Sequence, residues 1–291
     1  AIAFRPRSAS ELVDAAFQIL RGQFGSFALL TAIATIPSLI LSIASAWTMP
    51  SGVSAGDPTA ARAIFAPARL AIIGPIGLIA FLWMMVAFGA LVAASSDAYL
   101  GRPVDPASAF QRAFARTGKL IGGHLLAYLA FFAPIILVAV GIALAIPTLG
   151  ALGAIVGLVG VPGALVWMFV AVARYFTITA VLTLEDGGAT AALGRSSQLS
   201  KGSRGRVLGV ALLVFVITFV VAMVASVVAV ALPGGPQVAG AITYLLYIPL
   251  YPLFTCAMTA VYYDLRIRKE GYDIELMAQE LGEGARQQPA Y

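Results

Sequence analysis

The sequence predicts an all-α polytopic membrane protein, with about six transmembrane helices and short amphipathic helices on the cytoplasmic side. Three observations carry that prediction. Of the 291 residues, 60% are hydrophobic and 11% charged, whereas a soluble domain carries about 25% charged residues. So little polar surface cannot cover a water-exposed globule. Six apolar stretches reach the roughly 20 residues that a helix needs to cross a bilayer. Lys and Arg are strongly biased to one side of those stretches.

The spans fall at about 27–47, 70–95, 120–146, 161–184, 207–232 and 238–263, within one membrane domain over 1–270. The fourth is ambiguous. Its apolar run starts at Leu149, which is long for one untilted span, and Val161-Pro162-Gly163 interrupts it. Proline removes a backbone donor and clashes one turn back, so 149–160 reads as a kinked extension or a short re-entrant piece. Pro37, Pro75, Pro134, Pro249 and Pro252 are expected to kink their spans. The loop over 48–69 is rich in Pro, Gly, Ala and Ser and reads as irregular, with a short helix near 60–65. A last short helix is expected over 274–281, before a polar tail.

Orientation follows from charge. With the N-terminus inside, the cytoplasmic segments hold Arg5, Arg7, Arg21, Arg102, Arg112, Arg116, Lys119, Arg195, Lys201, Arg204, Arg206, Arg266, Arg268, Lys269 and Arg286, and the outside loops hold Arg62 and Arg69. An odd number of spans would break that asymmetry, so six spans with both termini cytoplasmic is the reading. The opening AIAFRPRSASEL has no apolar h-region and does not read as a cleaved secretory signal. Trp47, Tyr262 and Tyr263 stand where interfacial aromatics are expected.

The cytoplasmic segments resemble one another. At an offset of 97, Ala16, Phe17, Gly25, Leu29 and Pro37 match Ala113, Phe114, Gly122, Leu126 and Pro134. At an offset of 180, Arg21-Gly22 and Gly25 match Lys201-Gly202 and Gly205. Each unit reads as an amphipathic helix, a basic turn and a span. The first opens with Ser8-x-x-Glu11, a capping-box pattern, and places Val13, Phe17, Leu20 and Phe24 on one face. The second opens with Asp105-Pro106, a cap followed by proline in the first turn, and puts Phe110, Ala113, Phe114 and Thr117 together. Such helices either lie in the interface with their basic residues toward headgroups or pack under the bundle as a collar.

The stretches LEDGGATAALGRSSQLSKGSRGRVLG, YLGRPVDPASAFQRAF and PLFTCAMTAVYYDLRIRKEGYDIELM resemble a broad group of bacterial polytopic proteins. That group is related to the membrane domain of glycerophosphodiester phosphodiesterases, and YYDLRIRKEGYD is the most specific part of the likeness. The resemblance covers most of the chain. It implies a six-helix membrane domain with cytoplasmic amphipathic connectors in a bacterial inner membrane. It does not imply the phosphodiesterase activity, whose chemistry needs paired histidines and metal-binding carboxylates.

The residues themselves offer little chemistry. One histidine, His124, and one cysteine, Cys256, are far apart, while metal sites usually need three or four ligands. No metal, cofactor or catalytic set is therefore expected. Gly153-x-x-x-Gly157 lies in an apolar run and reads as a helix-packing face. The soluble segments are too small for a nucleic-acid surface.

Arg174 is the one deep charge, about 15 Å from the inner end of its span at 1.5 Å per residue. Asp97 and Asp264 are its candidate partners. The three form either a polar site for a lipid phosphate or anionic solute, or a structural ion pair. Glu185 and Asp186 are expected to cap the next helix or pair with Arg195 or Lys201. His124 reads as a hydrogen-bonded packing residue or a proton carrier. Arg21, Lys119, Arg195, Lys201, Arg204 and Arg206 are expected to face anionic headgroups. The function expected is that of a non-enzymatic structural or accessory subunit packed against other membrane proteins. The alternative is a lipid- or solute-handling protein built around Arg174.

Overall fold

The computed structural model describes residues 7–50, 60–150, 154–231, 235–272 and 274. They form an all-α polytopic membrane protein in which six helices are long and apolar enough to cross a bilayer. In chain order the helices are α1 (Ala9–Gly22), α2 (Phe24–Trp47), α3 (Ala60–Ile64), α4 (Pro67–Tyr99), α5 (Pro106–Ala115), α6 (Thr117–Leu149), α7 (Ala154–Tyr175), α8 (Ile178–Leu184), α9 (Ala189–Ser200), α10 (Arg204–Ala231) and α11 (Gly235–Glu270).

The elements group into three successive units, each an amphipathic helix followed by a hairpin of two spans. The first is α1 with α2 and α4, the second α5 with α6 and α7–α8, the third α9 with α10 and α11. The hairpin partners make the most extensive pairings in the molecule. Each amphipathic helix packs on both spans of the preceding hairpin: α5 on α4 and α2, α9 on α7, α8 and α6. The first unit obeys the same rule through the ends of the chain, since α1 packs on α11 and α10. The three units therefore close a ring. Each second span also ends in a glycine with positive φ, namely Gly101 at 75°, Gly187 at 113° and Gly271 at 61°. That backbone region is nearly free for glycine and stops a helix cleanly.

Burial fixes the register of the repeat. The first spans bury Phe27, Leu30, Thr31 and Ala34 in α2 and Leu120, Gly123, His124 and Ala127 in α6, an offset of 93. In α10 the buried set is Val207, Val210, Ala211 and Val214, an offset of 180 from α2. The i, i+3, i+4, i+7 spacing is one face of a helix. The connector residues Gln23 and Arg116, with φ −139° and −115°, are also 93 apart. The expected offset of 180 thus agrees with burial, while the expected 97 is four residues, about one helical turn, too long.

Local chemistry sets the helix starts. Ser8 caps α1 in a full capping box with Glu11, and Asp105 accepts from Ala107 and Ser108 ahead of Pro106. The buried face of α1 is Leu12, Val13, Ala15, Ala16, Ile19 and Leu20. Val13, Phe17, Leu20 and Phe24 were expected to share one face, but Val13 and Leu20 are buried while Phe17 and Phe24 are exposed. Phe114 on α5 is exposed too, while Ala109 and Ala113 are buried. The packed face of each short helix is its aliphatic, small-residue side, which fits closely over a hairpin. The amphipathic helices therefore form a collar and also present aromatics outward.

Two expectations about the spans change. The helix runs unbroken through Pro162, and the described break in the fourth span falls at Phe176–Thr177, between α7 and α8. Proline within a membrane helix frees one carbonyl, and neighbouring groups can take it up. Pro134 illustrates this: it leaves Ala130 without its usual donor, and the Trp167 indole donates to the Ala130 carbonyl at 3.1 Å. Tyr262 and Tyr263 are buried, not interfacial. Tyr263 exchanges a hydrogen bond with Ser96 at 2.7 Å and stacks on Tyr99 at 4.7 Å, so their hydroxyls find partners inside the bundle. Trp47 is 87% exposed, as an interfacial residue should be. The short helix expected near 60–65 is α3. That expected over 274–281 lies, but for its first residue, outside the described residues.

The core occupies one half of the bundle. Among the described side chains, no residue of α6 beyond Ala127, of α2 beyond Thr35 or of α10 beyond Val214 is buried. In the most apolar window of α4 and α11, 50% and 61% of residues are buried, against 6% in α6 and 11% in α7–α8. The packed half is the basic end. In the opposite half the described side chains of α6, α7 and α10 are largely exposed. At that end Arg69 donates to the Ser45 hydroxyl at 2.6 Å and to the Ile64 carbonyl at 3.0 Å, which ties α2, α3 and α4 together.

The ring makes the order of the units interchangeable. A circular permutant that begins at Gly188 and joins the native ends by a flexible linker should reach the same fold. Size-exclusion chromatography in detergent should show a monodisperse, helical protein; an aggregated product would refute the closure through α1 and α11.

Candidate functional site

Arg174, Asp97 and Asp264 do not form one site. Arg174 stands at the end of α7, where the chain breaks and α8 turns into the core. Its Nε donates to the Ser197 hydroxyl on α9 at 3.1 Å, and its guanidinium lies 6.0 Å from the Trp167 ring and 5.6 Å from the Tyr175 ring. Its carbonyl, freed by the break, accepts from the Ser196 hydroxyl at 3.0 Å. Span four was expected to be one continuous helix to Leu184, which would put Arg174 deep. Because α7 ends at Tyr175, α9 reaches the arginine, and neither carboxylate is needed.

The two aspartates act elsewhere. Asp97, near the end of α4, accepts from Arg112 of α5 through the two terminal guanidinium nitrogens. Asp264, on α11, is 2% exposed in its side chain. It accepts from the Arg7 backbone N–H at 2.8 Å, from Arg268 at 2.9 Å and from Arg206 of α10 at 3.4 Å. A third carboxylate completes the pattern. Glu185, just after α8, accepts from Arg195 of α9 at 2.9 Å and from the Tyr262 hydroxyl of α11 at 2.9 Å. Arg195 continues to Glu270 at 2.6 Å, and Glu270 to Arg266 at 2.9 Å. The guanidinium of Arg266 lies 4.0 Å from the Tyr272 ring centroid. Burial pulls the Arg195 guanidinium down in pKa, but its bonds to the two glutamates outweigh this and raise it. For Arg112 the bond to Asp97 is the main cause of a raised value.

The residues expected to face headgroups divide into two groups. Arg21, Lys201 and Arg204 are exposed. Lys119, Arg195 and Arg206 are half-buried and turned inward. Lys119 donates to the Glu185 carbonyl at 2.5 Å, as does Arg116, which also pairs with Asp186 at 3.0 Å. These two cations satisfy one carbonyl left open just after α8, a task that composition alone does not reveal. Glu185 pairs with Arg195 as expected, but α9 is capped by the backbone of Gly188 with no side chain involved.

His124 is buried. Its Nδ1 lies 2.7 Å from the Leu120 carbonyl and its Nε2 2.9 Å from the Thr179 hydroxyl. Both ring nitrogens are thus engaged, which is the packing arrangement. Gly157 approaches α6 closely: a β-carbon there would meet Ile142 at 3.4 Å, and one at Gly160 would meet Val138 at 2.9 Å. Gly153 lies outside the described residues, and Gly160, not expected in this role, makes the tightest α6–α7 approach. Among the described residues no group of three metal-ligating side chains gathers. Sequence reasoning missed Ser197, Tyr262 and Glu270; of these, Glu270 had a signal, standing four residues after Arg266 on one helix face.

Two clefts open at the basic end. One, of about 640 Å³, is lined by residues 22–26 and 101–103. The other, of about 430 Å³, is lined by Arg116, Lys119 and Asp186 with neighbouring small residues. No family model, curated protein or solved structure matches the chain.

Two predictions follow from this geometry. Asp264→Ala should lower stability by about 1–3 kcal/mol, the cost of leaving donors unsatisfied, because a buried acceptor shared by three donors is lost. The arginines, about a third exposed, can regain water, which holds the loss below that of a fully buried pair. Arg174→Ala should cost less. Thermal unfolding of both variants in detergent, followed by tryptophan fluorescence, orders them. Asp105 carries a pH effect. The Ser108 N–H, above all, holds its carboxyl below the ordinary range. A depressed folded pKa means that the cap is intact above the ordinary value of about 3.9 and is lost as pH falls through the lower folded value. The ratio of Ser108 amide protection in wild type to that in Asp105→Asn should therefore fall on acidification; a constant ratio would refute the assignment.

Proposed function

We propose that this chain is a non-enzymatic, multi-pass protein of a bacterial cytoplasmic membrane, with its basic end inside, that serves as a structural or accessory subunit packed against other membrane proteins. One observation supports this most directly: the buried and half-buried carboxylates that a polar pathway would need are already engaged in holding helices together. Asp97, Glu185 and Asp264 each join a neighbouring element, and Arg174 is satisfied by a serine and two rings. The lipid- or solute-handling reading draws on the repeat, the kinked spans, the basic segments and a polar site around Arg174; of these, the polar site loses Asp97 and Asp264, which pair elsewhere.

What remains available is apolar surface on hairpins that pack little against the rest of the chain. The α6–α7 hairpin carries Leu137 at 70% and Leu158 at 76% exposure. In a bilayer such a face gains little from burying apolar area, so association there comes from close packing. The single histidine, with both ring nitrogens taken up by packing partners, supports the non-enzymatic part of the reading. The positive-inside bias supports the orientation.

The test is photo-crosslinking in intact membranes from Leu137 and Leu158, each replaced by a photoreactive residue, with buried Leu91 as the reference position. Discrete protein adducts from the two exposed positions and none from Leu91 are expected. Lipid adducts alone at both exposed positions would overturn the accessory-subunit reading.

A further inference from the structure

The two clefts at the basic end occupy the same place in successive units. Residues 22–26 and 115–119 are related by the 93-residue repeat, and both clefts are closed by the segment that follows a second span, through Gly101 in one and Gly187 in the other. Their electrostatics differ. In the second unit the cations are answered from within: Arg116 pairs with Asp186, and Arg116 and Lys119 both donate to the Glu185 carbonyl. The cleft therefore carries its own anion.

In the first unit the lining holds Arg102 and no acidic residue. Arg21, one residue before the lining begins, is exposed, as is Arg102. The Gln23 side chain is spent on the segment between α4 and α5. Its amide donates to the Arg102 carbonyl at 2.9 Å and its oxygen accepts from the Val104 N–H at 2.6 Å. Ser26 likewise donates to the Val104 carbonyl. These bonds tie the two walls of the shallow cleft together, and among the described residues no acid pairs with Arg21 or Arg102, which leaves the positive charge for an outside anion. Beside it Phe24, itself part of the lining, is 49% exposed, and Phe17 is exposed on α1. An anion that fits here has an apolar portion next to its charge. Gly22 and Gly25 have open space where side chains would stand.

We propose that the first-unit cleft binds the phosphate headgroup of an anionic phospholipid, with Arg102 and Arg21 meeting the phosphate and Phe24 the upper acyl chain. Asp186 does for the second unit what that lipid does for the first. The inference rests on the reading that the basic end faces an anionic leaflet, and it adds a defined site to that reading. Charge-assisted contacts from arginine to phosphate are the strong, geometrically selective kind, so the site should outlast the diffuse attraction of exposed lysines.

The test is native mass spectrometry of the full chain in detergent with phosphatidylglycerol or phosphatidylcholine added at equal concentration. Wild type is expected to retain phosphatidylglycerol at least fivefold better. The double variant Arg21→Gln with Arg102→Gln, and separately Gly25→Asp, should lose most of that preference with an unchanged circular-dichroism spectrum. Lys201→Gln with Arg204→Gln, at the third junction, should keep it. Millimolar inorganic phosphate should not displace the lipid. No preference in wild type would overturn both this site and the anionic-leaflet reading. A preference lost equally in the third-junction variant would overturn the site and leave a general basic surface. Displacement by inorganic phosphate would overturn the choice of a lipid.

Discussion

The basic half of the bundle depends on three carboxylates placed where the second spans end. Asp97, Glu185 and Asp264 each reach an arginine on a different helix, and in each case that helix belongs to a neighbouring element of the ring or hairpin. A charge near the hydrocarbon boundary is costly unless paired. The arginines can serve because their stems lie along apolar surface while their heads stay partly wet. The side chains of Arg206 and Arg268 are 34% and 26% exposed while Asp264 is 2% exposed. The acid is held inside and the base reaches in from the edge. Such pairs add less stability than specificity of position, since exposed partners gain modestly from pairing. What they fix is which amphipathic helix lies on which hairpin.

The packing above these pairs explains why the core stops halfway. The second spans are buried on all sides where they meet, through small and hydroxylated residues such as Ser95, Thr179, Thr255 and Ala260. Ser95 reaches the Thr255 hydroxyl across α4 and α11 at 3.2 Å. Small side chains let the helices approach, and hydroxyls satisfy one another where no water enters. Toward the opposite end α6, α7 and α10 carry Leu, Val, Ile and Phe, which separate the helices. The hairpins then hold by local devices: glycines Gly157 and Gly160 between α6 and α7, the Trp167 indole on the Ala130 carbonyl, and the Trp83 indole on the Ala34 carbonyl at 3.0 Å.

The number of spans was legible because a run of 20 apolar residues has one common use in a protein this poor in charge. The amphipathic helices were legible from Ser8-x-x-Glu11 and Asp105-Pro106, whose hydrogen bonds are local. The partners of Arg174 were not. The break at Phe176–Thr177 has neither proline nor glycine to announce it; it is stabilised from outside, by Ser196 and Ser197 on a helix 20 residues later. Conversely Pro162 announced a break that tertiary contacts and a membrane setting do not require. The repeat was visible, yet its second unit was set one helical turn out of register. Identities among Ala, Gly and Leu recur at i+4 on any apolar helix, and only burial separates an offset of 93 from one of 97.

Correct register also accounts for two buried hydroxyls that would otherwise be unexplained. His124 and Thr179 bond each other within the second unit. The repeat places Thr31 and Ala211 at the position of His124. The triplet Thr-Ala-Val, at 179–181 and again at 259–261, places Thr259 at that of Thr179, and the matched Asp97 and Asp264 place Val92 there in the first unit. One unit thus holds both members of the pair, one holds only the first as Thr31, and one only the second as Thr259. Those two hydroxyls have no hydrogen-bond partner, and in each unit the residue at the facing repeat position is apolar. A buried hydroxyl without a partner costs about 1–3 kcal/mol, so the two sites are places where the units have diverged at a loss. The polar pair survives intact in the unit whose second span is broken, where α8 needs an anchor to α6. That is the same unit whose cleft supplies its own anion. The second unit is held from within at both places, and the first leaves its cleft to a group from outside.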